Sequence, residues 1–191
     1  MRQGPGWVVT LLLAALVAAA ASRPGVRRAD CFPLETLGVD RARESEALLL
    51  RALDSEALYT LVGGLKPVSS GFATFFPDSD GRLDLAAIAR TEALLSAWHC
   101  GGEIVAGVYK FERADERGQF YADAIVGHAG ATRSVRATHA AFFSPYQLAH
   151  NATPLDVVRA VEHDTPLRRW RGYGYLYGYP AYAVDFFVAA E

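Results

Sequence analysis

The sequence predicts an α+β fold: a small antiparallel sheet covered by several helices, with a helical C-terminal part. Three features carry that expectation. Residues 103–112 and 119–128 are two β-rich runs of similar length, joined by a polar loop containing Asp115 and Gly118, which is a hairpin pattern. The second run alternates, with Phe120, Ala122, Ala124 and Val126 on one face and Tyr121, Asp123 and Ile125 on the other, as suits a sheet with one face covered by helices. The element order is helix, strand, helix, hairpin, then several helices, which places the chain in the α+β class.

Taken in order, residues 22–39 read as an N-terminal linker, with Pro24, Gly25 and scattered arginines, and residues 40–191 as one globular domain. Asp40 to Val62 has helical spacing, with Leu50, Leu53, Ala57, Leu58 and Leu61 on one apolar face. Asp40 is placed to cap it, Gly63 and Gly64 end it, and Asp54-Ser55 offers a break. Residues 68–76 form a strand interrupted by Gly71, and Pro77 to Gly81 a turn. Asp84 caps a helix from Leu85 to about His99, with Leu85, Ile88, Leu95 and Trp98 as core residues and Gly101-Gly102 at its close. After the hairpin, Val135, Thr138, His139 and Phe142 lie along one side of a helix that ends at Pro145. Thr153-Pro154 and Thr165-Pro166 are start signals for two more helices, and Pro180 opens a last segment carrying Val184, Phe187 and Val188.

The first 21 residues read as a signal peptide. Arg2 lies near the N-terminus, Val8 to Ala21 is apolar apart from Thr10, and Ala19-Ala20-Ala21 before Ser22 fits a small-residue cleavage site. That run of 14 residues is shorter than the roughly 20 a membrane-spanning helix needs, and nothing later is long and apolar enough to cross. The expected location is therefore secreted or periplasmic, with no stable membrane span once the leader is removed. Retention of the leader as an anchor is the second choice. Removing the leader takes one of 19 basic side chains and leaves 18 against 21 acidic ones, a net of −3. That balance argues against a nucleic-acid partner. Cys31 and Cys100 are the two cysteines, and in an oxidising compartment an even count favours a disulfide. It would close a loop of about 70 residues, a constraint of about 4 kcal/mol in the chain-entropy account.

No strong catalytic, metal or phosphate-binding motif is present, and no cofactor is expected. Asp78 to Asp84 resembles a calcium loop only in part. With Gly81 in sixth position, the first and last ligand places fall on Phe76 and Ala87, so it reads as a turn followed by a helix cap. The histidines at 99, 128, 139, 150 and 163 share no metal-site spacing. Asp123, mid-strand between Tyr121 and Ile125, needs a partner if its face is covered. An arginine is the ordinary partner and a functional carboxylate the alternative. His128 stands at a strand end. Lys66 is one of two lysines against 17 arginines and sits three residues before Ser69, so a Ser–Lys nucleophile pair is conceivable. The order is the reverse of the Ser-x-x-Lys signature, so a loop lysine on a helix-to-strand connection is the favoured reading.

Trp170 to Pro180 is the most distinctive stretch. If extended, Tyr173, Tyr175, Tyr177 and Tyr179 line one face about 6.6 Å apart. If helical, the favoured reading, Tyr173 and Tyr177 stack on one side with Trp170, and Gly174 and Gly178 admit a close neighbour. Packing is the usual fate of so many tyrosines, and a ligand platform of Trp170, Tyr173, Tyr175 and Tyr177 is the functional alternative. Two function classes follow. One is a non-catalytic binding or interaction module for a small molecule, glycan or protein, using the tyrosine-rich region. The other is an extracytoplasmic hydrolase built around Lys66, Ser69, His128 and Asp123. The absence of a catalytic constellation favours the first.

Overall fold

The computed structural model describes residues 28–114 and 118–190, so the leader and the start of the expected linker lie outside the described residues. Cys31 and Leu34 tie the first described segment to the rest of the fold. A short helix α1 (Arg28–Cys31) leads into a 3-10 turn (Leu34–Leu37), and Leu34 enters the core at 1% exposure. Cys31 is bonded to Cys100, and the His99 N–H donates to the Cys31 carbonyl at 3.1 Å. Residues 31–37 are thus part of the fold and not linker.

Helix α2 (Val39–Leu53) and the single turn α3 (Leu58–Leu61) replace one long helix, with the break at Asp54-Ser55. Gly38, not Asp40, occupies the N-cap of α2. Its buried stripe is Ser45, Leu48, Leu49 and Ala52, while Leu50 is 58% exposed. Leu58 also faces out, whereas Ala57 and Leu61 are buried. Three consecutive leucines satisfy more than one helical face, so periodicity alone picked a neighbouring register.

Residues 68–76 form two short strands, β1 (Val68–Ser69) and β2 (Thr74–Phe75), separated where Gly71 takes φ +87°. Helix α4 (Leu85–Leu95) is capped by Asp84, whose carboxylate accepts from the Ala87 N–H at 2.9 Å; Leu85 faces solvent, while Ile88, Leu95 and Trp98 are buried as expected. The turn before it is built by Asp78, which accepts from the Asp80 and Arg82 N–H groups. The hairpin arms are β3 (Ile104–Lys110) and β4 (Ala122–His128), paired from Ile104↔His128 to Lys110↔Ala122. Gln119 to Tyr121 precede the ladder instead of belonging to β4, and Phe120 is exposed.

β4 is the central strand. β3 pairs along one side of it, and β1 and β2 pair antiparallel along the other, at Gly127–Val126 and at Asp123–Ala122. Both faces are covered, a correction to the one-sided sheet expected. Ala124 and Val126 pack with Leu48, Leu49, Leu95 and Trp98 on the α2/α4 side, where Ser45 ties the layer together by donating to the Leu94 carbonyl and accepting from Trp98 Nε1. Ile125 packs on the opposite side with Val157, Val158, Val161 and Leu176. Those residues come from α7 (Pro154–Glu162) and α8 (Pro166–Leu176). Completely buried strands of this kind carry small and β-branched side chains on both faces, as Ala122 to Gly127 does.

Helix α5 (Ala129–Thr138) stops at His139, and a short α6 (Ala140–Phe143) follows, so the helix expected to run to Pro145 is broken. α7 begins with a full capping box, Thr153 with Asp156. Thr165 sits at the N-cap of α8 without a side-chain cap bond. A last helix α9 (Ala181–Ala190) packs on α8 through the buried Val184.

Candidate functional site

The tyrosine-rich stretch is helical, which spreads its aromatic residues over two faces of α8. Trp170, Tyr173 and Tyr177 follow the i, i+3, i+7 stripe and form one ridge. The helix is held close on both flanks by glycines. A Cβ at position 172 would lie 2.6 Å from Val161 Cγ1 of α7, and one at position 174 would lie 2.7 Å from Val184 Cγ2 of α9. The ridge is therefore set by backbone approach and not by the tyrosines themselves. Tyr173 and Tyr177 stack at 5.8 Å, as the helical reading predicted, but Trp170 stacks on Phe187 of α9 at 5.1 Å. Tyr175 leaves the group altogether. It lies on the opposite face, beneath the His139 ring at 3.8 Å and edge-on to Phe142 at 5.4 Å, so it is a packing residue.

Across from the ridge stand Phe111 and Tyr121 of the hairpin, themselves stacked at 4.7 Å. Together these five rings, with Arg113, Ala114, Glu162 and Arg169, line an open cleft of about 460 Å³. On the other flank of the ridge, α8 and α9 enclose an apolar groove of about 540 Å³ that shares Trp170, Tyr173 and Tyr177 and adds Gly174, Val184, Phe186 and Phe187. Each volume is within the range of small-molecule sites, which combine apolar walls with a few placed polar groups.

The polar groups of the cleft are unusual. Glu162 closes α7, and its side chain is wholly buried. Its carboxylate accepts from the Tyr173 hydroxyl at 2.7 Å, while Arg169 Nη1 stands 3.4 Å from both oxygens. Burial and that carboxylate push the Tyr173 hydroxyl far above the ordinary phenol range, so it stays a donor. Arg169 keeps 19% of its side chain exposed, and its buried Nε–H has no acceptor. Arg113 donates to the Asp164 carbonyl at 2.7 Å.

Behind the ridge the sheet contributes a second network. Tyr177, whose hydroxyl burial pushes up to about 12, shares a hydrogen bond of 3.1 Å with Ser70. Asp123 lies next to them, 5% exposed, and accepts from the Gly71 N–H at 2.9 Å and the Thr74 hydroxyl at 3.2 Å. Among the described residues no arginine pairs with it, contrary to the ordinary expectation. β2 and the turn at Gly71 supply donors that reach the carboxylate directly. Burial raises its carboxyl to about 6 in spite of those bonds.

The remaining candidates are engaged separately. The Lys66 ammonium pairs with the Glu56 carboxylate. The buried Ser69 hydroxyl bonds to Thr60 at 2.8 Å and to the Glu56 carbonyl at 3.2 Å. His128 caps α5, its Nδ1 accepting from the Ala131 N–H at 3.3 Å; its ring lies against Gly64, and Glu103 stands 3.7 Å away. Asp123 meets Tyr177 through Ser70, but none of the hydrogen bonds joins Lys66, Ser69 and His128 to one another. Among the described residues, no group of three or more His, Cys, Asp or Glu is placed to hold a metal ion.

Sequence reasoning passed over Phe111, Arg113, Tyr121, Glu162 and Arg169. One signal was available. Glu162 lies four residues after Val158 and next to Val161, so a carboxylate falls on the apolar stripe of α7 and requires a buried partner. No family model, curated protein or solved structure matches this chain.

Proposed function

We propose that this chain is a non-catalytic binding module that acts after export and takes a small ring-bearing molecule in the cleft beside Trp170, Tyr173 and Tyr177. One observation carries the reading: α8 and the hairpin leave five aromatic rings around an open volume of about 460 Å³, with an apolar groove on the other flank of the same ridge. A stack of partly exposed rings offers a ligand apolar faces at little conformational cost, since the glycine contacts already hold the ridge in place. The Cys31–Cys100 bond and the lack of a helix long and apolar enough to cross a membrane among the described residues are compatible with an exported domain. The hydrolase alternative has less to rest on, because Lys66, Ser69 and His128 each satisfy a different local partner.

The test is titration calorimetry with indole-3-ethanol, a neutral ring probe. The expected dissociation constant is about 1 mM or lower, the range the size of such a probe allows. Trp170→Ala should weaken it about tenfold, and because the ring also stacks on Phe187 the titration is run well below the variant's lowered melting temperature. No binding by the wild type, or equal binding by Trp170→Ala, would overturn the reading.

A further inference from the structure

We infer that the molecule this cleft takes carries one carboxylate-type anion beside its ring, recognised by Arg169 with Arg113 adding charge. The inference rests on the binding reading above and names its ligand class. Among the described residues, two guanidiniums and one carboxylate line the cleft. A ring of aromatic side chains with an acid nearby also suits an organic cation, so the availability of each charge decides between the two classes. Glu162 is wholly buried, and its carboxylate is already engaged by the Tyr173 hydroxyl at 2.7 Å and by Arg169. It neutralises Arg169 from behind and presents nothing to a ligand.

Arg169 is in the opposite position. Its two contacts to Glu162 are long, at 3.4 Å, a buried Nε–H lacks an acceptor, and 19% of its side chain reaches the cleft. A guanidinium has five donors in a planar fork; the Nε–H is closed off, and the exposed part of the fork is what an anionic oxygen would meet. Arg113 lines the same cleft with one donor spent on the Asp164 carbonyl. Among the described lining residues, pairing Arg169 with Glu162 leaves one positive charge over, and that excess favours a monoanion. The apolar body then lies along the ridge formed by Trp170, Tyr173 and Tyr177.

Three probes with one ring and different charge test this on the intact chain: indole-3-acetate, indole-3-ethanol and tryptamine, each titrated by calorimetry near neutral pH. Indole-3-acetate should bind about tenfold or more tighter than the neutral alcohol, with tryptamine weakest, and added salt should shrink the difference. Arg169→Gln should remove most of the preference. Because that change strands Glu162, the double variant Glu162→Gln/Arg169→Gln keeps the test sound if the single one melts early. In the double variant the alcohol should still bind, and the acetate should keep at most the small preference that the remaining charge of Arg113 supplies, well below the wild-type ratio. If the alcohol binds the wild type and the acetate is no tighter, or tryptamine is tighter, the anion inference fails and the binding reading stands. If none of the three binds, both fall.

Discussion

Replacing Asp123 by Asn should make the protein more stable at neutral pH, although it alters a buried group with several hydrogen bonds. The carboxylate is 5% exposed and, among the described residues, has no cation beside it, so burial wins over the Gly71 and Thr74 donors and lifts its carboxyl from 3.8 to about 6. A folded-state value above the unfolded one means that the folded protein prefers the neutral acid. The stability this group contributes is complete below about pH 4 and is lost as pH rises through about 6. A shift of about two units corresponds to about 3 kcal/mol at most. Asn keeps an acceptor for the Gly71 N–H and carries no charge, and its NH₂ group can donate to the Thr74 hydroxyl oxygen. Urea unfolding of both proteins should therefore give nearly equal stabilities at about pH 3.5. The gap should open through about pH 6 and reach up to about 3 kcal/mol in favour of the variant at about pH 7.5. A variant less stable than the wild type at the upper pH, or a gap independent of pH, would refute the reasoning. Either result would mean that the hydrogen bonds outweigh desolvation.

Two further outcomes follow from packing and covalent structure. Cys31→Ser should cost about 2–5 kcal/mol, read as a lower urea midpoint, and reductant should reproduce the loss in the wild type; an unchanged midpoint under reductant refutes it. Gly127→Ala should cost about 1–3 kcal/mol in the same assay, because its Cβ would stand 2.2 Å from Pro154 Cβ where α7 starts against β4; a wild-type midpoint would show that the helix yields freely.

Much of the fold is written in short-range signals. Capping by Asp84 and Thr153, the paired β runs before and after Gly118, and the helix start at Pro166 each depend on residues a few positions apart. The expectations that failed needed distant information. Leu50 faces out because α2 presents Leu48 and Leu49 to Trp98 and the sheet, and nothing within the helix distinguishes those registers. The sheet is covered on both faces because α7 and α8, far along the chain, return to it.

The same division holds at the site. The sequence by itself determined that α8 would carry a dense aromatic stripe, that its glycines would admit close neighbours, and that Asp123 would need an answer for its charge. Only the tertiary structure decided that Tyr175 is packing while Trp170, Tyr173 and Tyr177 face a cleft, and that Glu162 and Arg169 lie beneath it. It also decided that hydroxyl and backbone donors meet Asp123. The physical reason is that helical periodicity assigns residues to faces, whereas the identity of whatever covers a face is set by docking, here the approach of α8 to Val161 and Val184 permitted by Gly172 and Gly174.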